Sequence, residues 1–313
     1  MILICSDVLE PTTDVVCSWL NFLEKKFIRI SSNDIIDIKT VHINDDFVDI
    51  TFSINDEIYK LSQFTSYWYR RSKLKFKEND KIIFKHEDDD ISNPVNFFLD
   101  EEYSNLNTFF EYLLNKKAKL NTYQDNEINK LKTLSIAKEL GINIPKTIIS
   151  DEFDLSIFED KWITKPISDL IVRKNGFSYS STTKRISEAD INNLAITKIQ
   201  NKIDKKFEIR TFYFNETFYS SVIFSQENPK TELDFRNYDS ENPNRVVPFK
   251  LPKKIEKKLK KLCLKLNLKS GSFDIAYTKD DKYVLFEVNP VGQFEQVSFP
   301  CNYKIHREIA KFL

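Results

Sequence analysis

The spacing of apolar residues divides the chain into three regions, and the first mixes strands with helices. Residues 2–5 form a continuous apolar run, which is typical of a buried strand. Apolar positions recur at helical spacing over 15–23 and again over 95–117. Between these helices, strands are predicted near 27–31, 47–53 and 57–61, the last two joined by a hairpin turn at Asn55-Asp56. We therefore predict an N-terminal α/β domain over residues 1–118.

The second region opens with a helix and continues in short strands. Apolar spacing predicts a helix from Asn129 to Leu140. Gly141 suits its C-terminal cap, and Pro145 cannot extend it. From 147 to 187, short strand-like pieces alternate with polar turns. We predict a second, central domain over residues 119–190.

The third region is dominated by strands and closes with a helix. Its predicted elements are strands at 207–214 and 217–225, a basic helix at 252–267, a hairpin at 272–288 and a helix near 303–312. Consecutive strands with short connections favour an antiparallel sheet. We predict a third domain over residues 191–313, and an α/β (α+β) fold class for the whole chain.

Length and composition limit the cellular setting. At 313 residues the chain is long enough for two or three packed units. No apolar run approaches the roughly 20 residues of a membrane helix, and the start of the chain is too short and too soon acidic for a signal peptide. The four cysteines form no CxxC pattern, which favours reduced thiols. A cytoplasmic location without a membrane partner is expected.

Charge and glycine content exclude some kinds of binding site. Lys+Arg and Asp+Glu both number 47, so the uniform basic field of a nucleic-acid-binding protein is absent. Only four glycines are present, which argues against a phosphate site built on a Walker loop or on G-x-G-x-x-G. A nucleotide would have to be bound through lysines, a hinge segment and a metal ion.

Two carboxylates and one amide fall on the hairpin of the third region. If the polar turn 279–282 is centred on its middle, Asp274 lies directly opposite Glu287. Strand alternation then places Asn289 on the same face. Facing carboxylates repel each other, whereas a set of oxygen ligands suits Mg²⁺. The sequence favours a magnesium site here, and an ordinary acidic surface hairpin is the alternative.

This hairpin and four upstream segments resemble the ATP-grasp ligases. Asp274, followed by Glu287-x-Asn289-Pro290, looks like the metal-binding hairpin of that family. The helix that opens at Lys130 resembles the segment with the first nucleotide-binding lysine, and Thr164-Lys165-Pro166 resembles the second. The resemblance implies an ATP-grasp fold, with a pre-ATP-grasp domain in front and a lid-like character for the central domain 119–190. It also implies ATP as cosubstrate and two Mg²⁺ ions.

The same resemblance assigns further residues to the nucleotide site. The segment Gln200, Asn201, Lys202 and Ile203 corresponds to the hinge that meets adenine, largely through backbone groups. Glu208 and Arg210 resemble the D/E-x-R strand, which implies that Glu208 lies by the nucleotide and Arg210 near the transferred phosphate. Residues 168–181 correspond to the loop that covers the phosphates.

Local motifs resemble the ATP-grasp macrocyclases of ribosomal peptides, the graspetide and microviridin-type ligases, including the branch encoded with a radical-SAM SPASM protein. The motifs are YWYRR at 67–71, Ser225-Gln226 followed by Asp234-Phe235-Arg236, and EVNPVGQ at 287–293. The likeness implies a precursor peptide with a leader and an acidic, Thr-rich core as partner, and a homodimer.

The implied chemistry activates Asp or Glu side chains of the peptide as acyl-phosphates. Attack by a Thr or Ser hydroxyl then gives an ω-ester, and attack by a Lys amine gives an ω-amide. Arg210 and Arg236 are expected to face the anionic phosphate and carboxylate. Asp234 is expected to orient that arginine or to accept the proton of the nucleophile.

Three more residues are candidate substrate contacts, and two other functions remain open. Arg70 and Arg71 are predicted either to contact acidic residues of the peptide or to form structural salt bridges, and Gln293 lies in a loop that a substrate approaches. The first alternative function is a RimK-like ligase that adds amino acids to a peptide or protein terminus. The second is a non-catalytic ATP-grasp relative that serves as a peptide-binding module.

Overall fold

The structure, a computed structural model, describes residues 1–86, 89–152, 161–167, 171–174, 177–180, 183–186 and 196–313. Within these ranges only the backbone is described at 86, 89, 171–174 and 177–180. The helices are α1 (Pro11–Phe22), α2 (Ser92–Asn115), α3 (Lys130–Glu139), α4 (Lys253–Lys265), α5 (Glu295–Ser298) and α6 (Ile305–Phe312). None of the described helices is long and apolar enough to cross a membrane.

The strands follow one another along the whole chain. In the first part they are β1 (Ile2–Ser6), β2 (Phe27–Ile30), β3 (Ile35–Ile43), β4 (Val48–Ile54), β5 (Glu57–Lys60), β6 (Ser66–Arg70), β7 (Lys75–Phe76), β8 (Lys85–His86) and β9 (Asp89–Asp90). Next come β10 (Thr147–Ser150), β11 (Trp162–Thr164), β12 (Ile171–Lys174), β13 (Phe177–Ser180), β14 (Lys184–Ile186) and β15 (Thr197–Asn201). The last are β16 (Lys205–Phe214), β17 (Thr217–Phe224), β18 (Arg245–Phe249), β19 (Ser270–Thr278) and β20 (Tyr283–Asn289).

Two compact units divide the chain, and the first consists of Met1–Gln124 with Ile305–Leu313. It contains a parallel sheet in the order β2-β1-β6 and a second sheet in the order β5-β4-β3-β7. The apolar run of β1 is buried on both faces, as expected for the central strand of a parallel sheet. α2 contributes Phe110 and Leu114 to the core beneath these sheets, and α6 packs against α1.

The second unit, Asp125–Lys304, carries the third-region hairpin. Its larger sheet is antiparallel, in the order β18-β17-β16-β19-β20. α4 packs Leu259 and Leu262 into a core cluster that includes Ile209 and Ile275 of this sheet. Because side chains alternate along a strand, the neighbours of these two residues point to the opposite side. We call that side the polar face; it bears Glu208, Arg210, Asp274 and Glu287.

A smaller antiparallel sheet belongs to the same unit. Its order is β10-β15-β11-β14, and β12 pairs with β13 in a separate hairpin. Of the loop predicted to cover phosphates, 168–181, only the backbone of these two strands lies within the described residues. The three predicted domains, 1–118, 119–190 and 191–313, stay a prediction.

Candidate functional site

The hairpin β19–β20 brings together the three predicted metal ligands. Asp274 is the register partner of Glu287, and Ser272 is that of Asn289. Both carboxylates are buried, Asp274 at 5% and Glu287 at 6% exposure. The Asn289 Nδ2 donates to Glu287 Oε1 at 3.3 Å. The three side chains predicted from the sequence therefore lie on one face of the hairpin.

The register near the turn differs from the one expected. Ile275 pairs with Leu285 instead of Phe286, because the turn is centred on Asp280, with Asp281 at a positive φ of 62°. The expectation of a turn centred in the middle of 279–282 is therefore wrong. The pairing of the carboxylates is restored by a β-bulge, in which Phe286 is the extra residue. The bulge lets Leu285 face the core while Glu287 faces the opposite side.

A second bulge shapes the neighbouring strand. Lys205 pairs with Thr278 and Phe207 with Tyr277, so Lys206 is the extra residue in β16. Without it, strand alternation would send Lys205 and Glu208 to opposite sides of the sheet. Instead, the Lys205 Nζ donates to Glu208 Oε1 at 2.6 Å. The bulge thus adds a buried ammonium group to the polar face.

Positive side chains from three different segments converge on Glu287. The Lys165 ammonium forms an ion pair with it, and the Lys130 Nζ lies 3.9 Å from its Oε2. The Arg236 Nη1 is 3.3 Å from its Oε1. Asn129 caps α3 by accepting from the backbone N–H groups of the first turn, which fixes the start of the helix that carries Lys130.

The charges around the paired carboxylates move their pKa values in opposite directions. Burial alone would raise the pKa of Glu287, but the charges of Lys165 and Arg236 hold it well below its usual range. Burial raises the pKa of Asp274; Arg210 forms an ion pair with it and acts the other way, and the facing Glu287 adds to the rise. Glu287 is the carboxylate that these neighbours keep ionised.

Asp234 and Arg236 form a compact pair beside Glu287. The Arg236 Nε and Nη2 donate to the two oxygens of Asp234 at 2.9 and 2.7 Å. Burial would raise the pKa of Asp234, but the hydrogen bonds and charge of Arg236 lower it. The Thr183 Oγ1 donates to Asp234 Oδ2 at 3.0 Å, which links the pair to the segment before β14. Sequence reasoning found the pair and missed Thr183, which no motif marks.

A cavity that opens to solvent lies beside this cluster, and its empty volume, open solvent included, is about 650 Å³. Residues from both sheets of the unit form its walls. The lining residues include Lys165, Thr183, Gln200, Asn201, Lys202, Ile203, Lys205, Glu208, Glu232, Asp234, Arg236, Asp274 and Phe286. The predicted hinge therefore lines the same cavity as the second predicted lysine and one of the predicted metal ligands. These are residues that sequence reasoning assigned to one nucleotide.

The hinge has most of its polar groups engaged in the sheet. The backbone N–H of Asn201 donates to the Lys146 carbonyl at 3.2 Å, and that of Lys202 donates to the Lys161 carbonyl at 2.8 Å. The Gln200 Nε2 donates to Thr147 Oγ1 at 2.9 Å. Within the described part of the chain, the N–H of Ile203 has no backbone acceptor. It is the hinge amide that remains for a ligand in the cavity.

The cavity also contains charged groups around Glu208, and two of them, Lys205 and Glu232, were not singled out from the sequence. Lys205 is 5% exposed, and its Nζ also donates to the Leu233 carbonyl at 3.2 Å. Burial raises the pKa of Glu208 and Lys205 opposes the rise, while the Ser225 Oγ donates to Glu208 at 3.1 Å. Glu232 accepts from the Lys202 Nζ at 2.6 Å. Only the resolved register, not the sequence spacing, reveals Lys205 on this face.

The three predicted substrate contacts lie in different surroundings. Arg70 is buried in the first unit, with its Nη2 3.4 Å from Glu10 Oε1, while Arg71 is exposed with a positive φ of 57°. Gln293 is exposed in the second unit, and its carbonyl accepts from Ser272 Oγ at 3.3 Å. Before it, Gly292 adopts a φ of 56°, and a Cβ there would lie 3.0 Å from Ser272 Oγ. The substrate roles of these residues stay predictions.

The donor set at the hairpin consists of oxygen ligands. No group of three or more His, Cys, Asp or Glu side chains suited to a metal occurs in the described ranges. Asp274, Glu287 and Asn289 provide carboxylate and amide oxygens only, which fits a hard cation such as Mg²⁺. The buried carboxylates face each other, an arrangement that a divalent cation would stabilise. The residues present therefore fit magnesium.

The chain resembles known proteins in its structure. No protein-family model matches the chain, and no curated protein matches it by sequence. A RiPP-associated ATP-grasp ligase from Chryseobacterium gregarium, in complex with ADP and with a leader and core peptide, has a TM-score of 0.75 at 19% identity. The match covers 99% of this chain and 94% of that one.

Two further solved structures are similar over nearly their whole lengths. The macrocyclase MdnC from Microcystis aeruginosa MRC, bound with precursor peptide MdnA, has a TM-score of 0.72 at 20% identity, covering 100% of this chain and 99% of that one. The ATP-grasp ligase PsnB, complexed with a minimal precursor, Mg and ADP, has a TM-score of 0.64 at 13% identity, with 99% and 95% covered. At these identities the likeness establishes the fold, and the predicted ATP-grasp fold is confirmed.

Proposed function

We propose that the chain is an ATP-dependent ligase that forms rings in a ribosomally made precursor peptide, by activating Asp or Glu side chains of that peptide. The observation that carries the proposal is the convergence of Lys130, Lys165 and Arg236 on Glu287, beside a cavity lined by the hinge. Likeness to ATP-grasp ligases bound to ADP and peptides supports it.

The cavity suits a nucleotide with its base at the hinge. In this arrangement the Ile203 N–H would donate to adenine, and Glu208 would accept from the ribose hydroxyls. From there the cavity leads to Lys165, whose ammonium group suits the phosphates. Adenine recognition through a backbone amide fits a hinge whose side chains are engaged elsewhere.

The proposed metal ligands would lie beside the phosphates of the bound ATP. Asp274, Glu287 and Asn289 would hold Mg²⁺, which would neutralise the phosphates of ATP during transfer. Lys130 and Lys165, which both lie near Glu287 Oε2, would add positive charge beside the phosphates. The protein would supply positioning and fixed charge, and needs no covalent nucleophile of its own.

The proposed reaction has two steps, a phosphoryl transfer and an acyl transfer. A carboxylate oxygen of the peptide attacks the γ-phosphorus, the bond to the β-phosphate oxygen breaks, and ADP leaves. A Thr or Ser hydroxyl, or a Lys amine, then attacks the acyl carbon; inorganic phosphate leaves, and the nucleophile loses one proton. Asp234, kept ionised by Arg236, is the proposed acceptor or positioning group for that step.

Loss of the Thr183 hydroxyl is expected to slow the reaction moderately. Valine at 183 keeps the shape but removes the donor to Asp234, so Asp234 and Arg236 lose one of their restraints. We expect Thr183→Val to lower kcat by about 3- to 10-fold, in line with one hydrogen bond of ~1 kcal/mol. Single-turnover measurement of ADP release tests this, and Thr183→Ser, which retains the donor, should behave as wild type. Equal losses in both variants would contradict a role for the hydroxyl.

The decisive experiment measures the mass of the peptide product. Purified protein with ATP, Mg²⁺ and a small acidic, Thr- or Ser-bearing peptide encoded beside it should lower the mass of that peptide by one water per ring. A gain by whole amino-acid residues would instead establish a RimK-like ligase. An unchanged peptide together with the absence of ADP formation would overturn the ligase assignment and favour the peptide-binding module.

The proposal also includes finer features. They are the choice of ester or amide, two metal ions, a homodimer, a cytoplasmic location and membership of the branch encoded with a SPASM protein. Resistance of the product to mild alkaline hydrolysis would distinguish the linkages, because an amide survives conditions that cleave an ester.

A further inference from the structure

Ser221 is a buried polar residue to which no motif or likeness assigns a role. It lies in β17, is 0% exposed, and its Oγ has no hydrogen-bond partner among the described residues. Buried hydroxyl groups are nearly always hydrogen-bonded, and an unpaired one costs free energy. The next residue in the chain shows the usual situation: the Ser220 Oγ shares a hydrogen bond with Thr211 Oγ1.

A second unpaired group lies across the strand pair. Ser221 is the register partner of Arg210, so both side chains project from the polar face. The Arg210 guanidinium forms its ion pair with Asp274 through Nη1, while its buried Nε has no hydrogen-bond partner among the described residues. Two donors without acceptors thus occur on neighbouring strands, and one of them, Arg210, is the register partner of the proposed metal ligand Asp274.

The position of these donors indicates which part of the reaction they serve. Along β16, Lys205 and Glu208 line the nucleotide cavity, and Arg210 follows on the side away from Lys205. At that end α5, which follows the loop with Gln293, packs against β16 and β17. Arg210 is therefore beyond the proposed ribose contact and next to the metal hairpin, with Ser221 one strand further from that hairpin.

We propose that Ser221 Oγ and Arg210 Nε bind an oxygen of the peptide side-chain carboxylate that the enzyme activates. An anionic oxygen accepts from a hydroxyl and a guanidinium at once, and would satisfy both orphaned donors. Arg210 is part of the proposed function, whereas Ser221 is the new element, a substrate-binding residue. This inference rests on the proposed function and names one contact of its substrate.

The test is the variant Ser221→Ala, assayed with peptide and ATP varied separately. Loss of a hydrogen bond to a charged group is expected to reduce kcat/KM for the peptide by about 10- to 100-fold. The KM for ATP should stay at the wild-type value. Because the alanine removes a buried hydroxyl without an acceptor, the protein without substrates should melt about 2–4 °C higher. Ser221→Cys, similar in size and a weak donor, should show the same kinetic loss.

The matched control is Ser220→Ala, one residue away on the other side of the sheet. It breaks the hydrogen bond with Thr211, so it should lower the melting temperature and leave kcat/KM for the peptide unchanged. A Ser221→Ala enzyme with wild-type peptide kinetics would overturn the proposal. A raised KM for ATP with unchanged peptide kinetics would also overturn it, because the oxygen bound would then belong to a phosphate. Failure of the proposed function is distinct, since wild type itself would then yield no dehydrated peptide.

Discussion

Glu287→Gln is expected to reduce ADP formation at least about 1,000-fold. The substitution preserves shape but removes the negative charge that Lys130, Lys165 and Arg236 share. It also removes an anionic ligand from the proposed metal site. The variant would therefore lose the metal ion needed for phosphate transfer, and the lysines would lose the carboxylate that holds them in place. Release of ADP with the precursor peptide present is the measurement.

The control for Glu287→Gln lies on the same hairpin. Asp281→Asn makes the same kind of change at the exposed turn, where the carboxylate pairs with Lys206. An exposed pair of this kind contributes little, so activity should stay at the wild-type level. Asp274→Asn, in contrast, should be as inactive as Glu287→Gln. Undiminished ADP formation by either buried variant would refute the metal assignment.

Misfolding must be separated from loss of chemistry in these variants. Glu287→Gln leaves a cluster of cations without their shared counter-charge, which is expected to destabilise the unit. A melting curve measured beside the assay shows whether the fold persists. Retained binding of ADP without Mg²⁺, through the hinge, would show that the nucleotide cavity is intact and that the loss concerns the metal and the transfer step.

Arg236→Lys is expected to lower kcat by about 100-fold. The guanidinium donates to both oxygens of Asp234 and also reaches Glu287. A lysine ammonium is a point charge on a flexible stem and cannot reproduce three directed contacts. The two carboxylates would lose their common partner, and with it their fixed separation. Single-turnover kinetics with saturating peptide measure the effect.

Arg185→Lys is the matched control for Arg236→Lys. Arg185 forms an exposed ion pair with Glu232, in which a lysine can replace it at little cost. Its kcat should match that of wild type. A similar loss in both variants would show that the effect follows from any replacement of an arginine by lysine in this region and not from the bridge between Asp234 and Glu287.

Much of the site could be predicted from the sequence because its parts follow regular spacing. Asn129 and Gly141 bound α3 as their capping preferences indicate, which places Lys130 in its first turn. The pairing of Asp274 with Glu287 was predicted correctly, although for a turn that is centred elsewhere. A regular strand and a bulged one happen to give the same partner at this position, since the shift at the turn and the extra Phe286 cancel.

What the sequence did not reveal depends on irregular or long-range structure. Lys205 was missed because an odd spacing from Glu208 predicts opposite sides of a strand, and no residue type marks the bulge. β3 was missed because its exposed second half has no continuous apolar alternation. Ser221 was missed because the absence of a hydrogen-bond partner is a property of packing and cannot be read from a single strand.

The two bulges limit how the site can be moved to another protein. A designer who copies the polar residues onto a regular antiparallel scaffold, keeping their sequence numbers, would place Lys205 on the wrong side of its strand. The same scaffold would send Glu287 and Leu285 to one side, so either the charge or the apolar anchor would be misplaced. The extra residues Lys206 and Phe286 therefore belong to the minimal graft as much as the charged side chains do.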